Sequence, residues 1–184
     1  MNRIETLAKK FDQHISLPWQ QQLTDTEKTI FLVYPKEEER RLRAQKDLFR
    51  QSSQSAGHPW EEICLDDMFP DWMAEQEYAY DYFEYPSDVR QKLETEFRDA
   101  VAARLRDKLA SMGADAVLAV FGVGTLFGHC HVSAILESLH GSVNGRLVVF
   151  FPGSHERNVY HLLDARDGWG YLASPITLTE ESYL

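Results

Sequence analysis

Asp66 and Asp67 are adjacent carboxylates, and paired acids supply the hard oxygens that a divalent cation takes. The same pair at the end of a strand serves equally well as a helix N-cap and a first-turn charge. His129, Cys130 and His131 have the chemistry of soft-metal ligands. On a helix, however, positions two apart point away from each other, and Cys64 would have to arrive from another strand to complete a zinc site. Ser154 and His155 are a nucleophile and a base side by side, but they lack the Gly-x-Ser-x-Gly elbow, and no acid is identified to orient the histidine. The turn Gly122-Val123-Gly124 invites a nucleotide reading, because glycine-rich turns between a strand and a helix cradle phosphates. Its spacing refuses that reading. Five residues separate Gly122 from Gly128, His129 and Cys130 stand where Lys and Ser or Thr are needed, and Phe127 occupies the third glycine position of a dinucleotide fingerprint. No catalytic, cofactor-binding or metal-binding residue is assigned, and no cofactor or bound nucleotide is expected. The enzymatic alternative is a metal-dependent nuclease or phosphatase using Asp66 and Asp67.

The elements that would position these residues follow from apolar spacing. Val117 to Phe121 and Leu147 to Phe151 are solid apolar runs, which fit strands buried on both faces. The helix-like segment Thr125 to Leu139 between them makes a β-α-β unit. Ile4, Leu7, Phe11 and Ile15 give an N-terminal amphipathic helix over 3–15, and Thr29 to Tyr34 is a first buried strand closed by Pro35. A helix is expected over 37–56, laced by Glu37 with Arg41 and Glu39 with Arg43, and then a strand over 60–65. Short helices or ordered loop suit the aromatic-rich stretch from Phe69 to Tyr85. Ser87 is the expected N-cap of a long helix carrying Val89, Leu93, Phe97, Val101, Leu105 and Leu109, a stripe that drifts by about 40° per four-residue step. Pro152 to His155 reads as a loop, Tyr160 to Leu163 as a short strand, Asp164 to Gly168 as a turn, and Trp169 to Ile176 as an edge strand that tolerates Pro175. Gly128 is assigned to close packing of helix on sheet. The expected fold is a three-layer α/β domain, with a mostly parallel central sheet flanked by helices and a degenerate nucleotide-binding-like loop. One domain spans 1–184, with an N-terminal helical segment over 1–28 and a helical, aromatic-rich insertion over 66–112.

Composition narrows the partners. The chain has 184 residues and a net charge of −10, which disfavours a dedicated grip on nucleic acid or an anionic membrane and suits a basic partner. A local patch at Arg40, Arg41 and Arg43 is the one place where nucleic acid could still touch. No stretch reaches the roughly 18 apolar residues of a membrane span, and the charged start lacks a secretion signal's apolar core, so a cytoplasmic location is expected. Cys64 and Cys130 are expected to be buried thiols of a reducing compartment. Glu180 and Glu181 belong to a polar, solvated tail.

Several segments together resemble one family. They are Ile15-Ser16-Leu17-Pro18-Trp19, Glu39-Arg40-Arg41-Leu42-Arg43 with Gly57-His58, Phe69-x-x-Trp72-Met73 with Tyr78 and Tyr82-Phe83, and Leu126-Phe127-Gly128. The most specific are Gly145 to Gly153 and the run Tyr160-x-Leu162-Leu163-Asp164-Ala165-Arg166-Asp167-Gly168-Trp169-x-Tyr171-Leu172. The chain resembles the BrxB proteins of bacteriophage exclusion (BREX) systems. The resemblance implies a small cytoplasmic component of a bacterial antiviral complex whose other members include a DNA adenine methyltransferase, a large ATPase and PglZ, a protein with an alkaline-phosphatase-like domain. It supplies no catalytic residues. The implied role is assembly with other members, PglZ first. The expected contact surface is Arg166, Asp167, Trp169 and Tyr171, since a turn followed by two aromatics at strand spacing offers hot-spot residue types. The competing expectation is that Trp169 and Tyr171 fold back and staple the C-terminal strand to the core.

Overall fold

The first helix is built by its own ends. In the computed structural model, which describes residues 1–178, α1 (Arg3–Ile15) starts at a capping box in which the Asn2 side chain accepts from the Glu5 N–H and the Glu5 carboxylate accepts from the Asn2 N–H, both at 2.9 Å. Glu180 and Glu181 lie outside the described residues. Ile4, Leu7, Phe11 and Ile15 are all buried.

The α1 stripe packs on a sheet whose strands are β1 (Thr29–Tyr34), β2 (Trp60–Cys64), β3 (Val117–Phe121), β4 (Arg146–Glu156), β5 (Val159–Leu162), β6 (Trp169–Gly170) and β7 (Ser174–Ile176). The sheet is mixed. Along the path β2-β3-β4-β1-β7 all four pairings are parallel, whereas β4 with β5 and β5 with β6 are antiparallel. Because side chains alternate along a strand, the apolar runs feed two cores at once. Ile30, Leu32, Tyr34, Val148 and Phe150 join α1 and the helix around Phe49 on one side, and Phe31, Val33, Val149 and Phe151 join the later helices on the other. The fold is α/β, with helices covering the sheet. The β-α-β unit over 117–151 is present, with β3 and β4 parallel neighbours.

Several expected boundaries move for identifiable reasons. The helix over 37–56 is a 3-10 turn (Lys36–Glu38) followed by α2 (Glu39–Ala44) and α3 (Asp47–Ser55), with a break at Gln45 and Lys46. The tight first turn favours three-residue spacing, so Arg41 pairs with Glu38 at 2.8 Å and not with Glu37, while Arg43 meets Glu39 at 2.6 Å as expected. The helix over 125–139 shrinks to a 3-10 turn (Val123–Leu126) and a later α-helix (Val132–Ser138). Gly128 at φ +79° lies outside right-handed helical space and separates them.

Met68–Ala74 and Ala79–Glu84 form α4 and α5, the short helices of the aromatic stretch. Pro86, not Ser87, starts the next helical run, as the first residue of a 3-10 turn (Pro86–Val89) with no side-chain cap bond. That run continues through α6 (Arg90–Lys92), a π-helical segment (Leu93–Phe97) and α7 (Arg98–Ala110). The wider π turn takes back part of the drift of a four-residue stripe, and all six stripe residues from Val89 to Leu109 are buried. The helix Val132–Ser138 is α8. Among the described residues no helix is long and apolar enough to cross a membrane.

Beyond Pro152 the strand continues where a loop was expected. β4 outruns its parallel partner β1 and pairs with β5 through a two-residue turn, Arg157-Asn158. Both turn residues have positive φ, 50° and 63°, as a primed hairpin turn requires. The expected edge strand over 169–176 is two pieces, β6 extending the hairpin and β7 lying parallel beside β1. Pro175 sits on that outer strand, where a missing N–H is harmless.

Candidate functional site

The carboxyl ends of β1, β2 and β3 bring together residues from distant parts of the chain. The Tyr34 hydroxyl at the end of β1 donates to Glu39 at 2.5 Å, and Glu39 in turn accepts from Arg43 Nε at 2.6 Å. The two terminal nitrogens of Arg43 fork onto the two oxygens of Asp66, which follows β2. The Arg43 guanidinium holds the Asp66 carboxyl below its ordinary range, with burial working the other way, and the same bonds hold Arg43 firmly protonated. Burial beside the Glu39 carboxylate pushes the Tyr34 phenol up. Lys36 closes on Asp164, and Lys46 on Glu62 at 2.5 Å.

The Gly122 loop sits inside this network. Gly122 has φ +80°, and a Cβ there would stand 2.4 Å from Asp66 Oδ1, so the carboxylate lies directly against the loop. The Thr125 hydroxyl donates to the Gly122 carbonyl at 2.7 Å. Asp66 and Asp67 are therefore not an open pair: Asp66 is spent on Arg43. Among the described residues no group of three or more His, Cys, Asp and Glu side chains could hold a metal ion. The basic patch is also neutralised in part, since Arg41 and Arg43 both face carboxylates.

Ser154 and His155 do not join this cluster. They lie on the antiparallel arm of β4 opposite His161 and Tyr160, and strand alternation leaves Ser154 exposed and His155 buried. Cys64 is exposed rather than buried, because it ends the edge strand β2. Cys130 is buried in a turn rather than a helix, and burial pushes its thiol up to about 12.

A second concave region lies beside the C-terminal hairpin. A cavity of about 350 Å³ is lined by Arg90 and Glu94 from the α7 side, by Phe127 to Val132, and by Leu162, Ala165, Asp167 and Trp169. His129 stacks on Phe69, with ring centroids 4.1 Å apart, and Nδ1 lies 2.8 Å from the Thr125 carbonyl. His131 reaches Asp167 at 3.3 Å, which lowers the Asp167 pKa together with a backbone hydrogen bond, the larger of the two. Gly128 borders this cavity. A Cβ there would meet nothing within 4 Å, so its role is the left-handed turn and not the close packing expected of it.

Arg166 and Asp167 are exposed at the turn, and Trp169 and Tyr171 are half-buried. Their rings lie 5.6 Å apart, and both pack on Phe31, at 5.7 and 5.9 Å. Leu163, at φ +52°, enters the turn in a conformation that bulky residues rarely adopt.

At the opposite end of the sheet, sequence reasoning missed a stack. Arg146 lies 4.4 Å above the Trp19 ring, and Trp19 lies flat on His58 at 3.5 Å. Arg43 was visible through its helical spacing from Glu39 and as part of the basic patch with Arg40 and Arg41. Its link to Asp66 needs the sheet to bring residues 23 positions apart together.

The family model for BREX protein BrxB matches residues 61–173. No curated protein and no solved structure matches the chain.

Proposed function

We propose that this chain, which belongs to the BrxB family and so to a BREX defence system, is a non-enzymatic assembly subunit that binds other members of the complex, PglZ first. The observation that carries the reading is the Arg43–Asp66 fork. At the carboxyl ends of parallel strands, the usual place for chemistry in such a fold, the acid best suited to a cation is already neutralised. The Gly122 turn serves as a degenerate phosphate loop. Asp66 lies against it, the Thr125 hydroxyl is turned to a backbone carbonyl, and only a 3-10 turn follows, so nucleotide phosphate would find negative charge where it needs donors.

The contact surface we assign is the turn with Arg166 and Asp167, backed by the half-buried rings of Trp169 and Tyr171. The strained entry at Leu163 supports a turn held in one shape. Co-purification with tagged PglZ is the test. A charge swap, Arg166→Glu with Asp167→Arg, should abolish retention while leaving the melting temperature unchanged. Trp169→Ala should weaken retention and also lower the melting temperature, because that ring braces the turn on Phe31. Full retention by the charge-swapped chain would remove the turn from the interface.

A further inference from the structure

A different surface carries an independent signal. Tyr78, Tyr80, Phe83 and Tyr85 are 54%, 80%, 69% and 57% exposed, and all four lie on or beside the single short helix α5. At about 200 Å² per aromatic residue they present on the order of 500 Å² to solvent. Summed over the four residues, that is comparable with the largest apolar patch of an ordinary monomer, about 300–600 Å², and exposed apolar surface on that scale marks interaction sites. The exposure is a matter of construction. Tyr82, the neighbour that points inward, packs against the core with Phe69 and Trp72, and the Lys92 ammonium sits 5.8 Å from its ring centroid. Tyr82 anchors the helix while Tyr80 and Phe83, three apart, share a face with nothing on it.

The sequence that carries these rings is acidic, and cations return only at Arg90 and Lys92. Residues 51–89 contain no Lys or Arg, and Asp81 and Glu84 on α5 stand with Glu77 and Asp88 just outside it. Among the described residues none of these four carboxylates has a cationic partner. An aromatic face ringed by unpaired acids suits one chemistry. Arg and Lys side chains of a protein surface lay their charge over ring faces and meet carboxylates at the rim. A second copy of this chain, with a net charge of −10 and the same acidic face, is a poor match for itself.

We propose that the α5 face docks a basic, arginine- or lysine-rich surface of another protein component of the same defence complex. The proposal deepens the assembly reading and rests on it. It is tested by co-expressing the tagged chain with the other components of its system and measuring which is retained. The wild type is compared with Tyr80→Ser/Phe83→Ser and with Asp81→Lys/Glu84→Lys, melting temperatures being recorded for each. Both variants should melt like the wild type and retain one component about tenfold less, the equivalent of about 1.4 kcal/mol. Wild-type retention should fall between about 50 and about 300 mM KCl, as charge screening demands. Lys→Glu or Arg→Glu changes on the captured component should restore binding to the charge-reversed chain. Undiminished retention by both variants, with the wild type capturing a component, overturns this face alone. Loss with the aromatic variant but not with charge reversal overturns the basic partner. A wild type that captures no component overturns the assembly reading as well, and a wild-type dimer that both variants dissolve assigns the face to a second copy instead.

Discussion

The carboxyl edge of the parallel strands and the face along residues 78–85 are both rich in carboxylates, yet they are built in opposite ways. At the edge Glu39 and Asp66 share Arg43, Glu62 is held by Lys46, and Asp164 by Lys36. Along α5 the acids Asp81 and Glu84 stand unpaired among exposed rings. A site whose charges are satisfied internally has little left with which to seize a ligand. A surface whose charges and rings are left open keeps them available to a partner that offers opposite charge. For this fold the usual reasoning is thereby inverted: the edge where chemistry is normally sought is closed by its own ion pairs, and the aromatic face on α5 is open.

The largest expected effect follows from how tightly the edge is closed. Gly122→Val adds a branched side chain at φ +80°, 2.4 Å from Asp66 Oδ1 and 3.1 Å from the Asp66 backbone nitrogen. Left-handed strain of about 1–2 kcal/mol and overpacking of about 1–3 kcal/mol should together remove about 3 kcal/mol of stability. Thermal melts of the isolated chain read this directly. A melt like that of wild type would mean that the edge yields freely, and the contrast with α5 would dissolve.

Gly128, at the cavity beside the C-terminal hairpin, shares the left-handed backbone of Gly122 without its crowding. Its φ is +79°, but a Cβ there meets nothing, so Gly128→Val should cost only the conformational strain of about 1–2 kcal/mol. Gly128→Asn should recover most of it, because Asn tolerates the left-handed region. Equal losses from Asn and Val would point to a steric neighbour and bring Gly128 back to the packing role that its sequence context suggested.

How much could be read beforehand divides along the same line. α1, β1 and β3 have the expected bounds, because a helical stripe or a solid apolar run is a local signal that tertiary contacts only reinforce. The hairpin arm of β4 was missed, since Pro152-Gly153-Ser154 has turn composition. Only pairing with β5 makes it a strand, with Gly153 so close to the His161 carbonyl that a Cβ would stand 2.0 Å from it. Likewise Asp66 announced itself as a cation ligand, and nothing near it in the sequence named Arg43 as the cation. The aromatic density around Tyr80 was legible, but its exposure was not. Periodicity cannot say which rings of a six-residue helix face out when only Tyr82 is used as an anchor.

The smallest effect isolates the electrostatics of the closed edge. Arg43 lowers the Asp66 pKa in the folded chain, so this carboxylate stabilises the fold at pH values above its ordinary pKa, about 3.9. The contribution is lost as pH falls through the depressed folded value, where the native state is forced to take up the proton. Both partners retain side-chain exposure, 37% for Arg43 and 36% for Asp66, so solvent screening limits the contribution to about 1 kcal/mol or less. Stability measured by denaturant melts from pH 6 down to pH 2 should therefore fall less steeply in Arg43→Ala than in wild type, the two curves converging at the acid end. NMR titration of the Asp66 carboxyl supplies the second readout, and its midpoint should rise in Arg43→Ala. If the midpoint stays put and the curves remain parallel to pH 2, Asp66 is held by something other than Arg43. The carboxyl edge would then no longer count as closed by this pair.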